Sequence, residues 1–313
     1  MKIIFSKKKL IQILKKQKNL GFVPTMGALH KAHIYIIKKS ISLCKKTIVT
    51  IFINKPQFNR ALDYKKYPRN FKKDISILKK CNVDYLYLPT AKQIYPFGPS
   101  KNIKISSFSK KLCGNNRPGH FEAVVDVIDK FIKIIDPNII FLGEKDMQQL
   151  KIIEEFINKN QIKTKVIGCK TIREENGVAC SSRNFLLSAN DFIIASRVYK
   201  LLYKSKKLLI IKKNILKKIK NEIFQFGVTK IDYLELIDIN KQTRPFKKSK
   251  KSLIIKKNVL KKIENKIFKF GVKKIDYIKL LDINKQTKPN KKNKRYKLFI
   301  AYYLGSTRLI DNI

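Results

Sequence analysis

Residues 21–169 alternate short apolar runs with longer amphipathic segments, and this alternation constrains the fold more than any other feature of the chain. The apolar runs are rich in Val and Ile and cover residues 21–25, 47–53, 84–89, 138–143 and 164–169. Segments with helical spacing of their apolar residues lie at 33–45, 71–81, 122–135 and 147–160. Strands separated by helices of this length predict an α/β fold with a doubly wound parallel sheet. Such sheets bind ligands at the carboxyl ends of their strands, so we expect a site there.

The second half of the chain contains a tandem repeat. Residues 205–248 recur at 249–292 with an offset of 44 residues, and 33 of the 44 positions are identical. Each copy predicts a helix, a Phe-Gly-Val turn, a strand (231–237 and 275–281) and a basic loop. Two copies are too few for a capped solenoid, so the pattern favours a duplication inside one small domain. We therefore expect one domain over residues 1–176 and a smaller α+β domain over residues 177–313.

Composition limits the partners and the compartment of the protein. The net charge is +49, but only nine of the 71 basic residues are arginine, and the lysines are spread over the whole chain. Arginine reads phosphate and base edges best, so this distribution predicts no specific nucleic-acid partner. The five cysteines form no C-x-x-C pair, which favours a reduced, cytoplasmic protein without structural zinc. No apolar run reaches the roughly 20 residues that a membrane span needs.

Two of the three histidines stand three residues apart in the stretch FVPTMGALHKAH, residues 22–33. They open a predicted helix directly after a strand and a glycine turn, where free backbone N–H groups and the helix dipole attract phosphate. Imidazoles at that position can donate hydrogen bonds to phosphoryl oxygens. The other interpretations are packed core histidines and a metal site, although no carboxylate or cysteine stands at ligand spacing from the pair.

Four further polar clusters accompany predicted strand ends or turns. GEKDMQQ (143–149) offers a lysine for phosphate charge, and TIREENGVACSSRN (171–184) offers two serines and an arginine as an oxyanion cradle. NRPGHF (116–121) contains the third histidine. FINKPQF (52–58) places Asn54 and Gln57 at a strand end, where their amides can read a carboxylate and hydroxyls. Each cluster alone is also compatible with an ordinary solvated turn.

Taken together, these segments resemble the pantothenate synthetase (pantoate–β-alanine ligase) family of the HxGH nucleotidyltransferase superfamily. The matching stretches follow the family order: GFVPTMGALHKAH, IFINKPQF, YPRNFKKDISIL, RPGHF, FLGEKDMQQL, TIREENGVACSSRN and LGSTRLIDNI. The resemblance implies a Rossmann-like nucleotidyltransferase domain and a reaction in two steps. Pantoate attacks the α-phosphate of ATP to form pantoyl adenylate and pyrophosphate, and the amine of β-alanine then displaces AMP.

The resemblance also assigns roles to residues. His33 is the expected proton donor, while His30 and Lys145 stabilise charge on the phosphates. The full set that it assigns to ATP is Met26, Gly27, Ala28, Leu29, His30, Lys31, Ala32, His33, Gly143, Glu144, Lys145, Asp146, Ile172, Cys180, Ser181, Ser182 and Arg183. Gln57 and Gln149 are expected to hold pantoate, with Gln57 also near β-alanine. Mg²⁺ is expected with ATP, without assigned ligands, and the family is expected to be homodimeric.

The chain departs from the family pattern at several positions. Ala32 replaces the glycine of HxGH, Lys55 separates Asn54 from its proline, Cys113 replaces an acidic residue, and Met147 replaces an aromatic one. Ala32, Cys113 and the duplication keep one alternative open, a binding module or a catalytically impaired homologue that has kept the fold. The other alternative is a different adenylyltransferase of the same superfamily, against which Gln57 and Gln149 argue.

The duplication is the largest departure. Copy one keeps the family's Asp-Tyr-x-Glu strand at 232–235, whereas copy two has Lys279 in place of the glutamate but runs directly into the terminal LGSTRLIDNI, a predicted helix. We expect one copy to take the normal position in the C-terminal lid and the other to be a tolerated insertion.

Overall fold

The computed structural model describes residues 1–211, 234–238, 263, 267–268, 270–272, 274–282 and 296–313. The chain divides into two compact units that are not continuous in sequence. The first unit contains residues 1–110, 117–172 and 180–182, and the second contains 111–116, 173–179 and 183–313. A single domain boundary after residue 176 stays a prediction.

The first unit is built on a six-stranded parallel sheet, which confirms the predicted fold class. Its strands are β1 (Lys2–Ile4), β2 (Leu20–Thr25), β3 (Lys46–Ile51), β4 (Tyr85–Tyr87), β5 (Ile139–Gly143) and β6 (Lys165–Cys169). They lie in the order β1-β4-β3-β2-β5-β6, and every pairing is parallel. All five predicted strands form. The edge strand β1 was not predicted because three residues are too few to show a period.

Seven helices accompany this sheet in the described part of the chain, and the caps explain where several begin. They are α1 (Lys7–Leu14), α2 (Lys31–Leu43), α3 (Ala61–Lys65), α4 (Phe71–Lys80), α5 (Ala91–Ile94), α6 (His120–Ile135) and α7 (Met147–Lys159). Asn70 caps α4 by accepting the N–H of Lys73, and Thr90 caps α5 with a reciprocal Gln93 contact. Helices α2, α6 and α7 each begin inside one of the polar clusters that the sequence singles out.

The core of the first unit holds the site loops against the sheet. Val23 on β2, Val49 on β3 and Leu78 on α4 are each at most 1% exposed and share one apolar cluster. Leu29, in the loop between β2 and α2, belongs to the same cluster and is 3% exposed. Burial of Leu29 therefore fixes one end of the histidine-bearing loop.

The second unit has a four-stranded sheet with α8 (Ala189–Ile211) beside it. The strands are β7 (Leu234–Asp238), β8 (Lys274–Asp282), β9 (Tyr296–Leu304) and β10 (Thr307–Asn312), in the order β10-β9-β8-β7. Ile194, Val198 and Leu202 on α8 share a buried cluster with Ile263 and Ile267. The bidentate ion pair of Arg173 with Asp311, at 2.7 and 2.9 Å, joins residues 173–179 to the terminal strand.

Strands β7 and β8 come from the two repeat copies and pair with each other in parallel. Their register places each residue opposite its repeat equivalent, for example Leu236 opposite Leu280. The strand of copy two also pairs antiparallel with β9, so it lies inside the sheet, whereas the strand of copy one lies at the edge. Residues 205–211 of copy one form the end of α8, and Ile263, Ile267 and Phe268 of copy two are helical. The rest of each predicted helix and both basic loops lie outside the described residues.

The prediction of a terminal helix was wrong. Residues 296–313 form the antiparallel hairpin β9–β10, and Gly305 at the turn has a φ of 55°. Aromatic and β-branched residues make up most of β9, and burial alternates along the start of β10. A period of two residues with a glycine turn favours a hairpin over a helix.

Among the described residues, no helix combines the length and the apolar character needed to cross a membrane.

Candidate active site

The loop after β2 has an unusual backbone. Gly27 and Ala28 both have positive φ angles, of 82° and 52°. The carboxylate of Asp74 on α4 accepts the N–H of Ala28 at 2.9 Å and the N–H of Leu29 at 2.8 Å. The sequence analysis missed Asp74, although it is an acidic residue on the apolar face of a lysine-rich helix, four residues before the buried Leu78.

The two histidines contact each other at the start of α2. His30 is the N-cap residue, and its backbone N–H donates to Nδ1 of His33 at 3.3 Å. The ring centroids lie 4.1 Å apart. Because Nδ1 of His33 accepts this hydrogen bond, the neutral ring carries its proton on Nε2.

Burial lowers the pKa of His33 well below its usual value, and the neighbouring His30 and Lys145 lower this pKa further. His33 is therefore a neutral imidazole at pH 7 whose Nε2–H group serves as a hydrogen-bond donor. The effect of Lys145 also shows that the end of β5 lies near the start of α2, as the predicted parallel sheet requires.

Lys145 lies in a short 3-10 turn, Glu144–Asp146, between β5 and α7. Its Nζ lies 3.6 Å from a carboxylate oxygen of Asp146, and its side chain is 17% exposed against 43% for Asp146. The Lys145 ammonium is partly buried and its charge reaches His33, so it can interact with an anionic ligand at this edge of the sheet.

Gln57 is held in place by the RPGHF segment. The backbone carbonyl oxygen of Gln57 accepts a hydrogen bond from His120 Nδ1 at 2.8 Å and one from an Arg117 guanidinium nitrogen at 3.1 Å. A guanidinium nitrogen of Arg117 also lies 2.9 Å from Nε2 of His120, so the two side chains contact each other and both bind the backbone carbonyl of Gln57. His120 is therefore a buried positioning residue, a role that the sequence analysis did not assign.

The side chain of Gln57 connects the strand-end motif with the histidine loop. Its Nε2 lies 3.0 Å from the sulfur of Met26, and its Oε1 accepts from Asn54 Nδ2 at 3.1 Å. Asn54 is oriented by the hydroxyl of Tyr95, which donates to its Oδ1 at 2.8 Å. A thioether is a weak acceptor, so a ligand carboxylate can displace it from the Gln57 amide.

The two adjacent glutamines of α7 differ in their surroundings. Gln148 is 4% exposed, and its side-chain amide donates to the carbonyl of Phe108 at 2.8 Å. Gln149 is partly exposed. Met147, which replaces an aromatic residue of the family pattern, is 4% exposed and packs in the core.

Residues 180–182 bring the serine segment into the first unit. Ser182 Oγ donates to the carbonyl of Ala28 at 3.1 Å, and the N–H of Cys180 donates to the carbonyl of Ile172 at 2.9 Å. Arg183 belongs to the second unit, so its expected place on the triphosphate stays a prediction.

Cys113, in the second unit, lies 3.8 and 3.9 Å from the guanidinium nitrogens of Arg308. The acidic residue of the family pattern would form an ion pair at this position, and the thiol provides only a weak contact.

The structure therefore brings several predicted site residues together. Contacts connect Met26 with Gln57, Ala28 with Ser182 and His30 with His33, and the charge of Lys145 acts on His33. The place of Gln149 in the site stays a prediction. Within the described ranges, no three His, Cys, Asp or Glu side chains gather as a metal site.

Comparisons with known proteins point to one family. The pattern of the Pantoate-beta-alanine ligase family matches residues 2–261 and again residues 247–313. Each matched segment contains one complete repeat copy, which agrees with a duplication relative to the family.

Relatives in other bacteria are named pantothenate synthetase. One from a Sulfurihydrogenibium species is 38% identical over 237 residues, covering 74% of this chain and 85% of that protein. Another from Leptospira biflexa is 40% identical over 227 residues, covering 71% of this chain and 80% of that protein.

Among solved structures, pantoate-beta-alanine ligase from Francisella tularensis, complexed with β-γ ATP and β-alanine, is similar over 100% of this chain and 97% of that chain. The TM-score is 0.74 and the sequence identity is 33%. Pantothenate synthetase from Thermus thermophilus has a TM-score of 0.73 at 24% identity, with 100% and 99% coverage, and supports the fold. With its sequence motifs, its parallel sheet and these relatives, the chain belongs to the pantoate–β-alanine ligase family.

Proposed function

We propose that this chain condenses pantoate with β-alanine at the expense of ATP. The pantoate carboxylate oxygen attacks the α-phosphorus, and the bond to pyrophosphate breaks. The β-alanine amine then attacks the acyl carbon of pantoyl adenylate, AMP leaves, and the amine loses its proton as the amide forms. The observation that carries this proposal is the cluster of His30, His33 and Lys145 beside the strand ends.

His33 is proposed as the central catalytic residue. Its Nε2–H group donates to a phosphate oxygen on which charge develops in the transition state. This differs from donation by an imidazolium, because the site keeps the ring neutral. His30 and Lys145 add hydrogen-bonding capacity and positive charge, so catalysis depends on positioning and charge stabilisation rather than on a covalent nucleophile.

The remaining contacts to ATP are proposed from the family pattern and supported by the geometry. Residues 26–33 and 143–146 follow adjacent strands β2 and β5 of the parallel sheet. The nucleotide site is completed by Ile172, Cys180, Ser181 and Ser182. Ser182 supports this, because its hydroxyl donates a hydrogen bond to the carbonyl of Ala28 in the loop of residues 26–33. Arg183 would clamp the triphosphate.

Pantoate is proposed to bind Gln57 and Gln149, and β-alanine to bind near Gln57. Arg117 and His120 fix the backbone carbonyl of Gln57, so its side-chain amide is the group that can adapt to a ligand. This arrangement supports the proposed role. Gln148, the neighbour of Gln149 on α7, has a structural role instead, because its side-chain amide donates to the carbonyl of Phe108.

Mg²⁺ is proposed to enter with ATP. Mg²⁺ typically keeps several waters and binds substrate phosphates with one or two carboxylates. The partly exposed Asp146 beside Lys145 is an acidic residue of the site that fits this role. When bound, the ion would neutralise phosphate charge.

The assembly and the compartment are also proposals. We propose a homodimer, as expected of the family, and a cytoplasmic enzyme with no specific nucleic-acid partner. All five cysteines lie among the described residues and carry no disulfide, which supports a reducing compartment.

The test is AMP release by the purified protein with ATP, Mg²⁺ and pantoate, with and without β-alanine. Sustained AMP release only with both organic substrates supports the ligase. AMP release with another acid in place of pantoate would favour a different adenylyltransferase. ATP and pantoate binding without AMP release would favour an impaired homologue, in which Ala32 or the duplication has disabled catalysis.

A further inference from the structure

The loop between β2 and α2 is shaped like an anion-binding nest. Successive left-handed residues, here Gly27 and Ala28, turn neighbouring backbone N–H groups toward one point. In this chain the anion at that point is a side chain of the protein. The two oxygens of the Asp74 carboxylate accept one N–H each, from Ala28 and from Leu29.

The surroundings of Asp74 explain how a carboxylate is tolerated there. Its exposed fraction is 2%, so its charge is removed from water and depends on protein donors. The two backbone N–H groups supply charge-assisted hydrogen bonds, and the position in the first turn of α4 adds the favourable helix dipole.

Gly27 and Asp74 are matched sterically. A Cβ atom on Gly27 would lie 2.9 Å from Asp74 Oδ2 and 3.1 Å from Ile51 Cγ2. Its φ of 82° is also unfavourable for any other residue type. The carboxylate therefore reaches the loop because residue 27 has no side chain.

We propose that Asp74 is a positioning residue for ATP, acting through the backbone of residues 27–29. This inference rests on the proposed function, in which the loop binds the nucleotide. The carboxylate holds the backbone of Ala28 and Leu29, which directly precede the contact between His30 and His33 at the start of α2. Since the N–H groups of Ala28 and Leu29 are occupied by Asp74, phosphate recognition falls on the imidazoles and Lys145.

The test compares Asp74→Asn with Asp84→Asn. Asp84 is a matched control because its carboxylate also accepts a backbone N–H, that of Thr47 at 2.9 Å, together with Lys46 Nζ at 2.7 Å. Asp84 directly precedes β4, and its partners Lys46 and Thr47 begin β3, so the control lies at the end of the sheet opposite to the site loops. Both substitutions remove one negative charge and replace an acceptor oxygen with a donor.

We expect Asp74→Asn to raise the KM for ATP by about 10- to 100-fold, the effect of losing a hydrogen bond to a charged group. The KM values for pantoate and β-alanine should change little. Asp84→Asn should lower the Tm while leaving the KM for ATP within about twofold of wild type. A purely structural Asp74 would lower the Tm without separating ATP from the other substrates, and that result would overturn the proposal.

Two further measurements keep the test independent of the proposed reaction and of folding. Equilibrium dialysis measures ATP binding by the two variants directly, even if the wild type releases no AMP. A failure of the proposed ligase reaction is thereby distinguished from a failure of the proposal about Asp74. If Asp74→Asn does not fold, Asp74→Ser decides, because it removes the carboxylate without presenting an amide donor to the N–H groups of Ala28 and Leu29. Weakened ATP binding by this variant supports the proposal, and unchanged binding overturns it.

Discussion

At the residue scale, the chemistry depends on a histidine kept neutral by its surroundings. Burial lowers the pKa of His33, and the neighbouring His30 and Lys145 lower this pKa further. The backbone N–H that donates to Nδ1 places the proton of the neutral ring on Nε2. An Nε2–H donor near the positive charge of Lys145 suits an anionic phosphate group.

Replacing His33 with alanine should reduce turnover by roughly 10²–10⁴-fold, the range for a lost charge-stabilising or acid–base group. The fold should persist, because His33 lies in the first turn of α2 and not in the apolar cluster of the first unit. Steady-state AMP release and thermal unfolding measure the two effects. An unchanged rate would remove His33 from the mechanism.

The lowered pKa of His33 also predicts how stability depends on pH. Below its usual value of 6.5 the unfolded chain takes up a proton that the folded protein does not, so the free energy of unfolding falls as the pH decreases through that value. Above it, this contribution vanishes. Urea unfolding from about pH 8 to about pH 5 should show a steeper loss for wild type than for His33→Gln, by at most about 1.4 kcal/mol per pH unit. Parallel curves for the two proteins would contradict the assignment.

At the element scale, strand pairing assigns a different position to each repeat copy. The strand of copy two, β8, lies between β9 and the strand of copy one, β7, and each residue of β7 lies opposite its repeat equivalent in β8. The copy next to the terminal hairpin in sequence thus has the central place, because a strand pairs most readily with its chain neighbour. The strand of copy one extends the sheet at its edge.

Proline should distinguish these two repeat-equivalent strands. A proline is tolerated at an edge and breaks the ladder of a central strand. Leu280→Pro in β8 should therefore lower the Tm and the soluble yield strongly, whereas Leu236→Pro in β7 should have a small effect. Equal losses in the two variants would mean that both strands are needed inside the sheet.

At the scale of the whole molecule, the repeat should be removable. Deleting residues 249–292 joins copy one to the terminal hairpin, and its strand can occupy the place of β8 because 33 of 44 positions are identical. We expect a soluble, active enzyme, measured by size-exclusion chromatography and AMP release.

The reciprocal deletion of residues 205–248 is the control for this experiment, since it keeps β8 and its own link to β9. Aggregation of the 249–292 deletion alone would mean that the sequence of copy two is required, and that copy one is not an equivalent substitute.

The sequence by itself determined the parallel α/β sheet, the strands of both repeat copies, and the polar clusters from which the family was recognised. The spacing of apolar residues and the alternation of strands and helices along the chain are local signals, so they could be read without the fold. Only the tertiary structure decided that Asp74 holds a loop 45 and 46 residues away, and that His120 grips the carbonyl of Gln57 across 63 residues. It also decided which repeat strand is central and that the chain ends in a hairpin. These outcomes depend on which segments, distant in sequence, contact each other in the fold. The two repeat strands are nearly identical, so their local pattern is the same at the edge and at the centre of the sheet and cannot show which position each takes.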